Sequence, residues 1–293
     1  NLVEGKAITS EKAPFLLEVG TEELPPSDLA SALTQLTTAV PEMLKDLRLG
    51  YDDIRIEGTP RRLVVFIEGL AARQPDLSQD VKGPPADRAF DADGKPTRAA
   101  EGFARSKGLD IGDLEVAEMD GGEYVVARVK ETGLPAYAVL REALAGLIAG
   151  IRFNKSMRWN ESGVAFSRPI RWLLALHDGE VVPFDYAGYT SGRETRGLRF
   201  EDQARFEIAS PEDYFEKIKA QGIILDPEER KDEIKSQAEK LASEIGGRIQ
   251  DDPDLLEEVT HLVEKPTAFR GEYDNAYLDY LPPEVLISVM KKH

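Results

Sequence analysis

Between Arg152 and Trp172 the sequence sets Arg152, Lys155, Arg158, Arg168 and Arg171 against a single acid, Glu161. Phe153, Trp159, Phe166 and Trp172 interleave with them. Cations neutralise phosphates and aromatic faces stack unpaired bases, so this combination suits RNA or single-stranded nucleic acid. Arg193, Arg196 and Arg199 follow and extend the candidate phosphate contacts. A second basic point, Arg61-Arg62, precedes a strand-like run, where two guanidiniums can grip one phosphate. The opposing reading makes Trp159 and Trp172 core anchors, pairs the arginines with acidic helices, and leaves Arg61-Arg62 as a charged strand edge that discourages aggregation. Overall charge also works against a polyanion: 37 basic residues face 54 acidic ones, a net of −17. That acidity is uneven. Residues 201–265 hold 19 acids and 9 bases, so this stretch alone carries −10.

Other chemistries are poorly represented. With no cysteine there is no disulfide, thiolate metal site or thiol nucleophile, and cytoplasmic residence is the default. His177, His261 and His293 are too scattered for a metal-ligand signature, and no metal site is expected. Neither glycine-rich phosphate loop occurs, nor a Gly-x-Ser-x-Gly elbow. Paired carboxylates stand at Glu22-Glu23, Asp52-Asp53 and Asp251-Asp252. Neighbours in an extended segment point to opposite sides, so only Glu22-Glu23, in a turn after a buried strand, supports an independent hydrolase reading. No apolar run reaches the roughly 20 residues of a membrane span.

The elements that must hold these residues read as α+β: mixed, largely antiparallel sheets with flanking helices, in about two domains. Residues 1–14 are polar and aperiodic and read as a linker or N-terminal extension. Residues 15–150 form an N-terminal α+β domain, 151–209 a β-rich segment of a second domain, and 210–293 its helical continuation. Phe15 to Gly20 is a buried strand and pairs with another at Arg62 to Leu70. Leu29, Leu33, Leu36, Val40, Met43 and Leu47 form one helical face, with Ser27 as cap and a kink at Pro41. Gln74 to Gly112 is rich in Pro, Gly and Asp and reads as a long surface excursion, broken by a helix-compatible stretch at Ala99 to Lys107. Glu123 to Lys130 is a strand and Ala136 to Ala149 a helix. Val164 to His177, Val181 to Ala187 and Thr195 to Ile208 are strand-like runs that pair antiparallel. Ser210-Pro211 and Asp226-Pro227 each open a helix, the second with an inward stripe of Ile234, Ala238, Leu241 and Ile245. Further helices begin at Pro253 and Pro282, and the last still runs at His293, as though the chain were cut off inside a larger protein.

Several stretches in order resemble one family. Phe15 to Pro26 (FLLEVGTEELPP), Thr59-Pro60-Arg61-Arg62-Leu63, Lys82-Gly83-Pro84, Ala100-Glu101-Gly102-Phe103, Met157-Arg158-Trp159, Phe166 to Trp172 (FSRPIRW) and Arg196 to Phe200 (RGLRF) are similar to the β subunit of the bacterial heterotetrameric glycyl-tRNA synthetases. The similarity continues through Leu255 to Val259, Leu262 to Pro266 and Val289-Met290-Lys291. The resemblance implies the N-terminal part of β, ending before a central domain similar to HD phosphohydrolases and a C-terminal anticodon-binding domain. It further implies a ligase assembly that joins glycine to tRNA(Gly) at the expense of ATP. Adenylation, ATP and Mg2+ then belong to the α subunit, no cofactor is held in this stretch, and no catalytic residue is expected in it. The expected partners are the α subunit or a fused α domain, in a hetero-oligomer or fused dimer, and tRNA(Gly). The candidate tRNA contacts are Arg61, Arg62, Lys155, Arg158, Arg168, Arg171, Arg193, Arg196 and Arg199. The alternative is a scaffold that docks α without touching tRNA. Phe269-Arg270-Gly271-Glu272 matches the Phe-Arg-x-Glu core of a class II synthetase motif, but four residues arise often by chance, and a turn beside a strand is the expectation there. The strands from Val164 to Ile208 resemble the editing-type domain of the phenylalanyl-tRNA synthetase β subunit at the level of fold, which licenses no hydrolytic activity.

Overall fold

The computed structural model describes residues 10–290 except 92, 120 and 200–204, and the backbone but not the side chain of Lys130. In chain order the elements are β1 (Lys12–Thr21), α1 (Pro26–Asp46), β2 (Asp53–Thr59), β3 (Arg62–Ala71), β4 (Leu77–Pro85), α2 (Ala86–Ala89), α3 (Arg98–Lys107), β5 (Leu114–Met119), β6 (Gly122–Glu131) and α4 (Ala136–Gly150). They continue as β7 (Ile170–His177), β8 (Glu180–Val181), β9 (Asp185–Tyr186), β10 (Tyr189–Thr190), β11 (Glu194–Arg196), β12 (Arg205–Glu207), α5 (Pro211–Ala220), α6 (Pro227–Glu244), α7 (Pro253–Thr260), α8 (Tyr277–Tyr280) and α9 (Pro283–Met290). The fold is α+β, with antiparallel pairing between all its named strands.

The chain divides into a unit made of residues 1–72 and 136–293 and a unit made of Arg73–Pro135. The division does not follow the boundary expected at residue 150, because β7 completes a sheet begun by β1. Residues 1–9 of the expected linker lie outside the described residues, while Lys12 to Pro14 already belong to β1.

The first unit is built on a five-stranded sheet ordered β2-β3-β1-β7-β8. Its central strands are buried on both faces, which is why they read as continuous apolar runs. Phe15, Leu17, Val19, Leu63, Val65 and Ile67 pack on one face with Leu29, Leu36 and Leu44 of α1 and Leu140, Leu144 and Ile148 of α4. Leu16, Val64, Phe66, Leu174 and Leu176 pack on the other with Tyr214 and Ile218 of α5. α1 begins one residue before the expected cap: Pro25 holds the cap position without a side-chain bond and Pro26 opens the helix, where its missing N–H costs nothing. It continues through Pro41 to Asp46. α5 and α6 start as expected, with Ser210 Oγ accepting from Asp213 N and the Asp226 carboxylate from Glu228 N and Glu229 N. The inward stripe of α6 is only half-buried and Ile245 is exposed. The buried residue of that helix is Arg230, which donates to the Thr260, Ile224 and Leu225 carbonyls. Burial pushes its guanidinium down to about 10.

The second unit corrects the surface excursion. Leu77 to Pro85 is a strand in a three-stranded sheet, β4-β6-β5, and α2 and α3 pack on it through Ala89, Ala100 and Val125. Gly83 accepts the Phe103 ring, since a Cβ there would lie 2.5 Å from Phe103 Cε1. Two motifs separated by the fifteen residues 85–99 thus meet side by side. Thr97 caps α3 and Gly108, at φ 67°, ends it.

Candidate functional site

Register explains why the sequence motifs converge. Arg62 in β3, Gly20 in β1 and Trp172 in β7 are direct cross-strand partners, so their side chains share the α5 face of the sheet. Glycine is required at position 20 because a Cβ would fall 1.9 Å from the Trp172 ring. The turn after β1 is clasped by backbone: Thr21 N donates to Arg61 O, Glu22 N to Pro169 O and Leu24 N to Pro60 O. The Thr21 to Pro25, Pro60 to Arg62 and Ser167 to Trp172 motifs therefore form one end of the sheet.

Beneath that end lies a closed ionic network. Arg62 is fully buried; its Nε donates to Glu264 Oε1 at 3.0 Å, and its Nη1 to Glu18 Oε1 at 3.2 Å and to the Arg196 carbonyl at 3.1 Å. Glu18, also fully buried, accepts from Trp172 Nε1 at 2.9 Å and Tyr214 Oη at 3.0 Å. Thr59 Oγ1 donates to Glu264 at 2.6 Å. The two carboxylates hold the Arg62 guanidinium above its ordinary value despite its burial, and burial with the Glu18 charge raises the Tyr214 phenol. Arg61 is nine-tenths buried, donates to Gly197 O at 3.3 Å and lies 3.7 Å from Glu264; burial draws its guanidinium below the ordinary value. Neither arginine is a solvated strand edge, and Arg62 has no surface to offer a ligand.

The remaining candidates separate into three environments. Arg193 donates to the Ile208 and Gly179 carbonyls and secures the chain ahead of α5. Arg171 pairs with Glu22 at 2.7 Å, and Arg199 pairs with Glu23 and lies 3.8 Å from Glu22. Glu23 is held below the usual carboxylate range, where the Arg199 bond and charge outweigh the opposing effect of burial. Both members of the Glu22-Glu23 pair are thus engaged by arginine, which is a poor starting point for a proton donor. Arg196 stacks on Trp172, its guanidinium carbon 4.9 Å from the ring centroid, and donates to the Arg171 carbonyl.

Lys155, Arg158 and Arg168 are exposed. Arg158 Nε donates to Gly163 O at 3.0 Å and Arg168 Nε to Glu23 O at 3.2 Å, and none of the three has a carboxylate partner among the described residues. Lys155 and Arg168 line one cleft of about 400 Å3 with Ser27 and Asp28 at the N-terminus of α1. The partial positive charge of a helix N-terminus adds to theirs, while Asp28, which accepts from Ser167 Oγ, opposes it.

The interleaved aromatics face inward. Phe166 is buried and meets Phe153 edge-on at 4.8 Å, Trp159 packs against the same core, and Trp172 is enclosed between Gly20 and Arg196. They anchor the fold, Phe166 and Trp172 buried and Phe153 and Trp159 half-buried against the same core. Arg205, which sequence reasoning passed over, stands opposite Arg196 in the β11–β12 ribbon. Arg270 of the four-residue synthetase-like match pairs with Glu272 at 2.6 Å in an exposed stretch outside any helix or strand, not in a turn beside one. Among the described residues no cluster of three metal-ligating side chains occurs, and no helix is long and apolar enough to cross a membrane.

Comparison with known proteins places these motifs among the aminoacyl-tRNA synthetases. The family model described as "Glycyl-tRNA synthetase beta subunit" matches residues 15–293, and the chain belongs to that family. Curated relatives named "Glycine--tRNA ligase beta subunit" include that of Desulforamulus reducens, 48% identical over 95% of this chain and 40% of the relative. Those of Desulfitobacterium hafniense and Syntrophotalea carbinolica are each 42% identical, over 95% and 96% of this chain and 40% and 41% of the relative. The chain thus spans about 40% of the length of the curated relatives it matches.

Proposed function

We propose that this chain is the N-terminal part of a glycyl-tRNA synthetase β subunit and contributes tRNA binding and subunit assembly to ATP-dependent glycylation of tRNA(Gly) in the cytoplasm. Adenylation, with ATP and Mg2+, falls to the α subunit. The observation that carries the tRNA role is the exposure of Lys155, Arg158 and Arg168 without carboxylate partners, in a chain with 17 excess negative charges. Acids to neutralise them are plentiful, yet these three stay open while Arg61, Arg62, Arg171 and Arg199 are paired. Long cations left facing solvent beside a helix N-terminus attract phosphate oxygens and fix an RNA backbone without reading its sequence.

The test is the salt dependence of tRNA(Gly) binding by the chain and by its Lys155→Ala/Arg158→Ala/Arg168→Ala variant. Each lost phosphate contact reduces the slope of log affinity against log salt by roughly 0.7–0.9. An unchanged slope with wild-type affinity removes these residues from the RNA.

A scaffold that docks α without touching tRNA is the second reading. It is favoured by the run of exposed apolar side chains at Phe269, Tyr277, Leu278, Tyr280, Val289 and Met290, which exceeds the scattered apolar exposure of an ordinary surface. Mixing the chain separately with α and with tRNA separates the two: binding to α alone supports the scaffold.

A further inference from the structure

A cavity of about 250 Å3 opens beside Trp172, walled by Arg171, Arg196, Arg205, Tyr189, Thr190 and Glu194. Its charge is unbalanced. Arg171 has Glu22, and Arg205 lies 3.8 Å from Glu194, but Arg196 has no carboxylate partner among the described residues. One Nη2 bond to the Arg171 carbonyl accounts for a single donor of a fork that carries five N–H groups. Arg196 and Arg205 are direct cross-strand partners in β11 and β12, an arrangement in which like charges repel. Burial lowers the Arg196 guanidinium, and the charges of Arg205, Arg61 and Arg171 lower it further, with only the Tyr189 hydroxyl acting the other way.

Repulsion of this kind is tolerated where a multivalent anion relieves it. The Trp172 ring beneath Arg196 fixes the plane of the guanidinium, so its free edge is presented rigidly rather than on a flexible stem. The space is small, enclosed on one side by the sheet, and has its aromatic face already covered, which leaves no platform for a base. We propose that this cavity binds a phosphate group through Arg196 and Arg205, with Arg171 completing the positive wall. The inference does not rest on the tRNA reading, because the same chemistry recognises a backbone phosphodiester or a free phosphate.

The probe is inorganic phosphate, compared with chloride at matched ionic strength. Phosphate is expected to bind saturably by calorimetry and to raise the melting temperature of the chain, as any ligand of the native state does. Arg205→Gln, an exposed position whose loss spares the core, weakens that binding roughly tenfold, the loss of one charge-assisted hydrogen bond. Arg196→Lys keeps the charge but not the fork and weakens it similarly. Equal responses to phosphate and chloride, or wild-type phosphate affinity in both variants, overturn the proposal. The source of the phosphate follows from tRNA binding by the same two variants. A parallel loss assigns the site to the RNA backbone, and phosphate binding lost with tRNA binding intact assigns it to a small phosphate ligand.

Discussion

Replacing Arg62 with methionine tests whether the Glu18–Arg62–Glu264 network holds the first unit together. The substitution preserves length and much of the apolar stem but removes the one guanidinium that, among the described residues, contacts both carboxylates. Glu264 keeps Thr59 Oγ1 and, at 3.7 Å, the Arg61 guanidinium, whereas Glu18 keeps only the Trp172 Nε1 and Tyr214 Oη donors among the described residues, its negative charge held at 0% exposure. Removing one partner of a buried ion pair costs about 3–5 kcal/mol, against a total stability of roughly 5–15 kcal/mol for a typical fold. Arg62→Met is therefore expected to lose about 4 kcal/mol. Urea denaturation followed by tryptophan fluorescence reads the right unit, because the chain's two tryptophans, Trp159 and Trp172, both lie in it. The double variant Glu18→Gln/Arg62→Met removes the stranded charge while leaving the Arg61–Glu264 pair in place, and is expected to recover more than half of the loss. A loss for Arg62→Met within about 1 kcal/mol at unchanged denaturant slope, the range of an exposed ion pair, refutes the reasoning.

Two further outcomes follow from the same sheet. Gly20→Ala drives a methyl into the Trp172 ring, and overpacking of this kind costs about 1–3 kcal/mol or more; a wild-type melting temperature with unaltered tryptophan emission contradicts the close approach. His177 is buried, and that burial holds its imidazole below the ordinary 6.5, so the folded chain keeps it neutral while the unfolded chain gains a proton as pH falls. Its contribution is complete above pH 6.5 and declines as pH drops toward the lower folded value, a decline that His177→Gln abolishes; identical pH profiles of melting temperature for the two proteins count against it.

The strands buried on both faces were plain in the sequence, since Phe15 to Val19 and Leu63 to Ile67 are apolar at nearly every position. Helix starts were legible from Ser210-Pro211 and Asp226-Pro227, where cap and proline coincide. β2 and β5 escaped because Asp53 to Thr59 and Leu114 to Met119 mix acids and glycine into edge strands that bury little. The Arg73–Pro135 unit escaped for a related reason: its core rests on Ala89, Ala100 and Val125, too small a set to produce an apolar rhythm. At the site, the cations were visible but their partners were not. Glu18 sits inside an apolar strand and Glu264 follows Arg62 by some two hundred residues, so only the folded register brings them together. Arg205 carried no local signal, since its meaning comes from facing Arg196 across a ribbon.

The backbone amide of Ala136 donates to the carbonyl of Ala72 at 2.8 Å, and the next pair inward, Arg73 and Pro135, forms a bridge. Departure and return therefore share a single doorway. The ends of β3 and α4 are thus held together by their own backbone pairing at the point where the Arg73–Pro135 unit leaves and rejoins. A two-residue turn set between Arg73 and Pro135 is the short splice that this antiparallel pair has the geometry to accept.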